Sequence, residues 1–90
     1  MPNTYLVTYD LNKEVSRPKI VSEVKESAGW AKLSESSYAI STNETVTQVH
    51  DRFKPYLDDD DNFYVIALRR PYTGWGKKDV NDWLEQHLQW

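Results

Sequence analysis

Apolar and polar positions alternate with a period of two in some stretches of this chain and with a period of about 3.6 in others, and the two periods divide it into elements. Residues 4–10, Thr-Tyr-Leu-Val-Thr-Tyr-Asp, are rich in β-branched and aromatic types and contain neither Gly nor Pro, which predicts a central strand. Its pleat puts Tyr5, Val7 and Tyr9 on one face and Thr4, Leu6, Thr8 and Asp10 on the other. After a polar connection, Ser16 and Arg17-Pro18 open a helix predicted to reach about Ala28, with Ile20, Val21, Val24 and Ala28 inward and Gly29 ending it. Residues 30–35 and 37–42 alternate again and read as a hairpin turning at 35–37. Thr42 or Asn43 is the expected cap of a second helix carrying Val46, Val49, Phe53 and Leu57, with Pro55 loosening its last turn. The acidic stretch 58–62 separates it from residues 63–68, the most apolar run in the chain.

The order βαββαβ predicts an α+β fold, a ferredoxin-like sandwich with two helices on one face of a four-stranded antiparallel sheet ordered 4-1-3-2. Residues 1–70 form that domain. Residues 71–90 add a Gly-containing aromatic turn, 72–76, and a short helix from about Val80 to Leu88, capped by Asp79. The apolar side of this helix, Val80, Trp83, Leu84 and Leu88, needs a surface to cover, either its own sheet or that of a second copy.

Composition narrows the functional classes. A chain of 90 residues buries only about 60–65% of its unfolded surface, so a few large side chains must form the core, and four Trp and six Tyr supply that bulk. With no Cys there is no disulfide framework and no thiolate metal site. A net charge of −3 weighs against sequence-independent binding to nucleic acid, which draws on phosphate neutralisation, but leaves room for a local basic patch. There is no N-terminal basic and apolar targeting pattern and no membrane-length apolar run, so a cytoplasmic protein with no membrane partner is expected.

Asp10 is the residue with chemical promise. A carboxylate at the mouth of a central strand can hold a hard divalent cation such as Mg²⁺, but one carboxylate per chain is too little without a symmetry mate. The competing reading is an Asx-type cap on the amide of Asn12 or Lys13. The acidic run 58–61 lacks the spacing of a calcium loop and reads as a solvated connection, its charge offset by Lys54 or Arg52. His50 and His87 have no ligand-spaced companion. Lys13 and Arg17 follow the first strand and Arg69, Arg70, Lys77 and Lys78 follow the fourth, as phosphate contacts or as ordinary solvated charge. Trp30 and Trp83 read as core or interface anchors, Trp75 and Trp90 as large apolar surface in irregular segments, and Trp75, Trp83 and Leu84 as a dimer contact.

Tyr9-Asp10-Leu11 closing the first strand, the 30–40 hairpin after a helix, and the acidic lead into 63–68 together resemble CRISPR-associated protein two. The chain is more closely similar to that protein's stand-alone SinR-like relatives and more distantly to virulence-associated protein D. The resemblance spans residues 4–68. It implies a homodimer in which the Asp10 residues of both protomers share a divalent metal, with metal-dependent cleavage of RNA or DNA in some members and structural, DNA-binding adaptor roles in others. The departure follows Leu68: the family continues into a fifth strand, whereas this chain has Pro71, two Gly and an amphipathic helix. Two functions follow as expectations: a nucleic-acid-associated, Mg-dependent endonuclease using paired Asp10, or a non-catalytic homodimeric scaffold.

Overall fold

The computed structural model describes residues 2–90. Strand β1 (Asn3–Asp10) leads to α1 (Arg17–Val24), the hairpin β2 (Gly29–Ser34) and β3 (Ser37–Thr42), then α2 (Val46–Phe53), β4 (Asn62–Ala67) and α3 (Lys78–His87). The sheet order is β2-β3-β1-β4 with every pair antiparallel, the topology of a ferredoxin-like α+β sandwich. Central β1 has Tyr5 opposite Ile40 on one side and Ala67 on the other, and Asp10 opposite Asn62.

The pleat sorts β1 as its alternation requires. Tyr5, Val7 and Tyr9 are buried beneath the helices with Ile20, Val24, Tyr38, Ile40, Val49 and Phe53. Phe63 of β4 joins this layer, its ring 4.9 Å from that of Phe53 and stacked at 6.1 Å on Tyr9. On the outer face the central residues are small: Ala31, Ala39 and Ser41 are buried there although no helix of the βαββαβ unit covers them. α3 covers them instead. A Cβ at Gly29 would meet the Trp83 ring at 3.7 Å, and Thr4 Oγ1 donates to the carbonyl of His87, which fixes α3 at the end of the sheet away from Asp10. The segment between β4 and α3 is tied to it by Arg70, which donates to the carbonyls of Leu88 and Glu85.

Several local expectations need correction. α1 stops at Val24 rather than Ala28, because the amides of Glu26 and Ser27 turn back to the carbonyls of Glu23 and Val24, tightening the last turn. The cap of α2 is Thr45, not Thr42 or Asn43: Thr45 Oγ1 accepts from the Gln48 amide and the Gln48 side chain accepts from the Thr45 amide. α3 begins at Lys78, with Lys77 rather than Asp79 at its cap position. Trp30 stands at the sheet edge, more than a third exposed, its ring edge-on to Tyr38, and Val46 is also exposed. Pro55 acts as expected, α2 giving way at Phe53 to a 3-10 turn, Lys54–Tyr56.

Burial of Tyr9 has a measurable consequence. Desolvation is the main cause that pushes its phenol from 10.0 up to about 12, with Tyr38 adding to it and Arg17 opposing. The folded state thus holds a proton that the unfolded chain releases, so the contribution is fully present below pH 10.0 and is lost as pH rises toward about 12. Its size is on the order of 2 kcal/mol. Urea melts between pH 9 and 12 should show this decline, and Tyr9→Phe should flatten it.

Candidate functional site

Asp10 lies at the end of β1, exposed on the outer face. Among the described residues no hydrogen bond or ion pair engages its carboxylate, and the capping role open to it is taken by Asp61. Asp61 Oδ1 accepts from the Asn12 amide at 2.7 Å and Oδ2 from the Asp58 amide at 3.0 Å, while Asp58 Oδ1 accepts from the Asp60 amide. Two carboxylates of the acidic run are therefore spent on backbone amides, which joins this loop to the one after β1. Among the described residues no group of three or more His, Asp or Glu is placed to hold a metal ion. Within one chain Asp10 does not complete a Mg²⁺ site, and a second copy would have to bring the other carboxylate.

The basic positions do not form one surface. Asp10 pairs with Asn62 while Leu68 donates to the Thr4 carbonyl, so Lys13 and Arg17 stand at one end of the sheet and Arg69 and Arg70 at the other, roughly 20 Å away at strand spacing. Arg17 is held by Glu14, the Glu35 carbonyl and Ser36, and Arg70 by Glu85 at 2.8 Å. Lys78 pairs with Asp82 at 2.7 Å. Lys13, Arg69 and Lys77 enter no ion pair among the described residues, and Arg69 donates to the Trp90 carbonyl. Arg52 does not offset the acidic run; it turns toward α1, where it meets Glu23 and Ser27.

Apolar surface is more concentrated than positive charge. An open cleft of about 1410 Å³ between β2, the 70–77 segment and α3 is lined by all four tryptophans, Trp30, Trp75, Trp83 and Trp90. Trp83 is its half-buried floor, stacked on His87 at 3.9 Å with its ring over Gly29 of its own sheet, and Leu84 is half-buried beside it; Trp75 is fully exposed. On the wall, Tyr72 donates to Glu85 at 2.6 Å, a bond that raises the phenol and, with help from Arg70, lowers the carboxyl. A second apolar strip lies where α3 does not reach. There Tyr64 is 61% and Ile66 48% exposed on the outer face of β4, next to Leu6 and Thr8 of β1. The expected order 4-1-3-2 already places this strand at an edge, but in the sequence residues 63–68 are simply the most apolar run, with no sign of which side chains stay exposed.

No family model matches the chain, and no curated protein matches it. Among solved structures, the fold is similar to the crystal structure of a hypothetical protein from Thermus thermophilus, with a TM-score of 0.69 and 19% identity over 86% of this chain and 94% of that one. At that identity the likeness extends to the fold.

Proposed function

We propose that this chain is a homodimeric, non-catalytic interaction module, the adaptor role that its resemblance to CRISPR-associated protein two admits. The observation that carries this reading is the exposed apolar strip on β4, Tyr64 at 61% and Ile66 at 48%, on a small domain where three of the six candidate phosphate-binding cations, Arg17, Arg70 and Lys78, are neutralised by Glu14, Glu85 and Asp82. Apolar surface of this kind on a soluble domain marks a partner surface.

A second reading, Mg-dependent cleavage of RNA or DNA with Asp10 supplied by both protomers, is favoured by the freedom of that carboxylate, which nothing in its own chain engages among the described residues. One set of measurements separates the two. Light scattering reports the oligomeric state, and incubation with Mg²⁺ or Mn²⁺ and RNA, single-stranded DNA or duplex DNA reports cleavage. The adaptor reading expects a dimer with no cleavage, and an Asp10→Ala chain that dimerises equally well and changes in stability by no more than about 0.5 kcal/mol, as exposed sites do. Metal-stimulated cleavage lost in Asp10→Ala would establish the second reading, and cleavage that survives the substitution would eliminate Asp10 as its source.

A further inference from the structure

The two edges of the sheet are built differently. β2 carries Lys32 and a register shift between Lys32 and Ser34, both of which discourage a further strand. β4 runs Asn-Phe-Tyr-Val-Ile-Ala with no charge, no Pro and no irregularity. Its hydrogen-bonding phase is fixed by the bond from the Leu68 amide to the Thr4 carbonyl: with Tyr5 opposite Ala67, residues 62, 64, 66 and 68 turn their amides and carbonyls toward β1. Those of Phe63, Val65 and Ala67 point away from the sheet, where the strand order supplies no neighbour. The C-terminal segment meets the chain beyond them, where Gln89 accepts from the Arg70 amide and Trp90 from the Arg69 side chain.

We infer that two copies of this chain associate through their β4 edges, antiparallel about a two-fold axis at Val65, to form one continuous eight-stranded sheet. This deepens the adaptor reading, on which it rests, by naming the partner and the contact. In this register Val65 faces Val65, and Phe63 faces Ala67 in each half, so every outward amide and carbonyl meets a counterpart. The outer face then places Tyr64 against Ile66 twice, an aromatic and β-branched cross-strand pair made of the two exposed apolar side chains. Centring the axis on Tyr64 instead would set Ile66 against Asn62 and leave Ala67 without a partner inside the strand. The arrangement also separates the two Asp10 carboxylates. Each lies opposite its own Asn62, at far ends of the paired strands and one strand further out, which places them roughly 25 Å apart.

The chain has no cysteine, so single substitutions read the contact directly. Only a residue on the axis faces its own copy, and hydrogen-bonded neighbours have Cα atoms about 5.5 Å apart, within disulfide range. Oxidised Val65→Cys should therefore form a covalent dimer, whereas Tyr64→Cys and Asp10→Cys should stay uncrosslinked. Ala67→Pro removes an outward amide and none that pairs with β1, so circular dichroism should remain that of the folded chain while dimerisation weakens at least about tenfold. A wild-type chain that sediments as a monomer at all concentrations would overturn both this inference and the adaptor reading. A dimer indifferent to Ala67→Pro, or one crosslinked through Cys at position 10 or 64 rather than 65, would overturn the edge contact alone.

Discussion

Phe53→Ala is expected to cost about 3–5 kcal/mol, the range for deleting a large aromatic side chain from a packed core. Phe53 is fully buried and is the largest of the wholly enclosed side chains. Its ring is 4.9 Å from Phe63, which in turn stacks on Tyr9, so it links the last turn of α2 to β4 and, through β4, to the central strand. A domain of this size has a total stability of about 5–13 kcal/mol, so the loss takes a large share of it. The melting temperature should fall by about 15–30 °C, as followed by circular dichroism, and urea unfolding should move with it. Phe53→Leu, which keeps most of the volume, should lose less than half as much. A drop below 1 kcal/mol in Phe53→Ala would show that β4 is held by something other than this aromatic clasp. Under the proposed edge contact the clasp also bears on association, because Phe63 holds in place the strand that would pair with a second copy.

What the sequence made legible is what short-range periodicity controls. The strand and helix order, the inward face of β1, the burial of Val49 and Phe53 on α2 and the effect of Pro55 all follow from spacing within a few residues, whereas Val46 of the same stripe is exposed and Leu57 lies beyond the helix. The cap of α2 was within reach, since Thr45 and Gln48 have capping-box spacing, but Thr42 and Asn43 compete for the same reading. The candidate site was less legible because its decisive contacts are distant along the chain. Asp61 takes the Asn12 amide across 49 positions, which frees Asp10 from the capping role, and nothing local to either residue signals it. The small residues Gly29, Ala31, Ala39 and Ser41 are weak as a pattern, yet together they form the trough into which Trp83 fits. That trough, formed by two strands and invisible as local spacing, is what seats α3 on its own sheet.

Arg52→Met should give the second large effect, about 2–3 kcal/mol, through a contact made at the point where α1 ends. The Glu23 carbonyl, which already accepts from the Glu26 amide where the helix tightens, also accepts from Arg52, which reaches across from α2 to donate to it at 3.2 Å, to the Glu23 carboxylate at 3.0 Å and to Ser27 Oγ at 3.0 Å. A cation at a helix C-terminus is favourable with the dipole, and here it is supplied by a neighbouring element. Its Nε lies 3.1 Å from Glu44, an ion pair without hydrogen-bond alignment, so one guanidinium serves two acids. Removing it leaves Glu23 and Glu44 without a countercharge, each with one hydroxyl donor, Tyr56 for Glu23 and Thr42 for Glu44, and that uncompensated charge, more than the lost attraction, sets the cost. Side chains about one-fifth exposed in Arg52 and Glu23 and one-third in Glu44 keep some access to water, which holds the figure below that of a sealed pair. Adding Glu23→Gln to Arg52→Met should therefore recover roughly half the loss, whereas Arg52→Lys should recover little, because an ammonium cannot span the carbonyl, the carboxylate and the hydroxyl at once. Amide exchange at residues 25–28 should rise in step with the loss of stability. If Arg52→Met costs under 0.5 kcal/mol and leaves that exchange unchanged, α1 is ended by its own backbone turn and the crossing arginine contributes nothing to it.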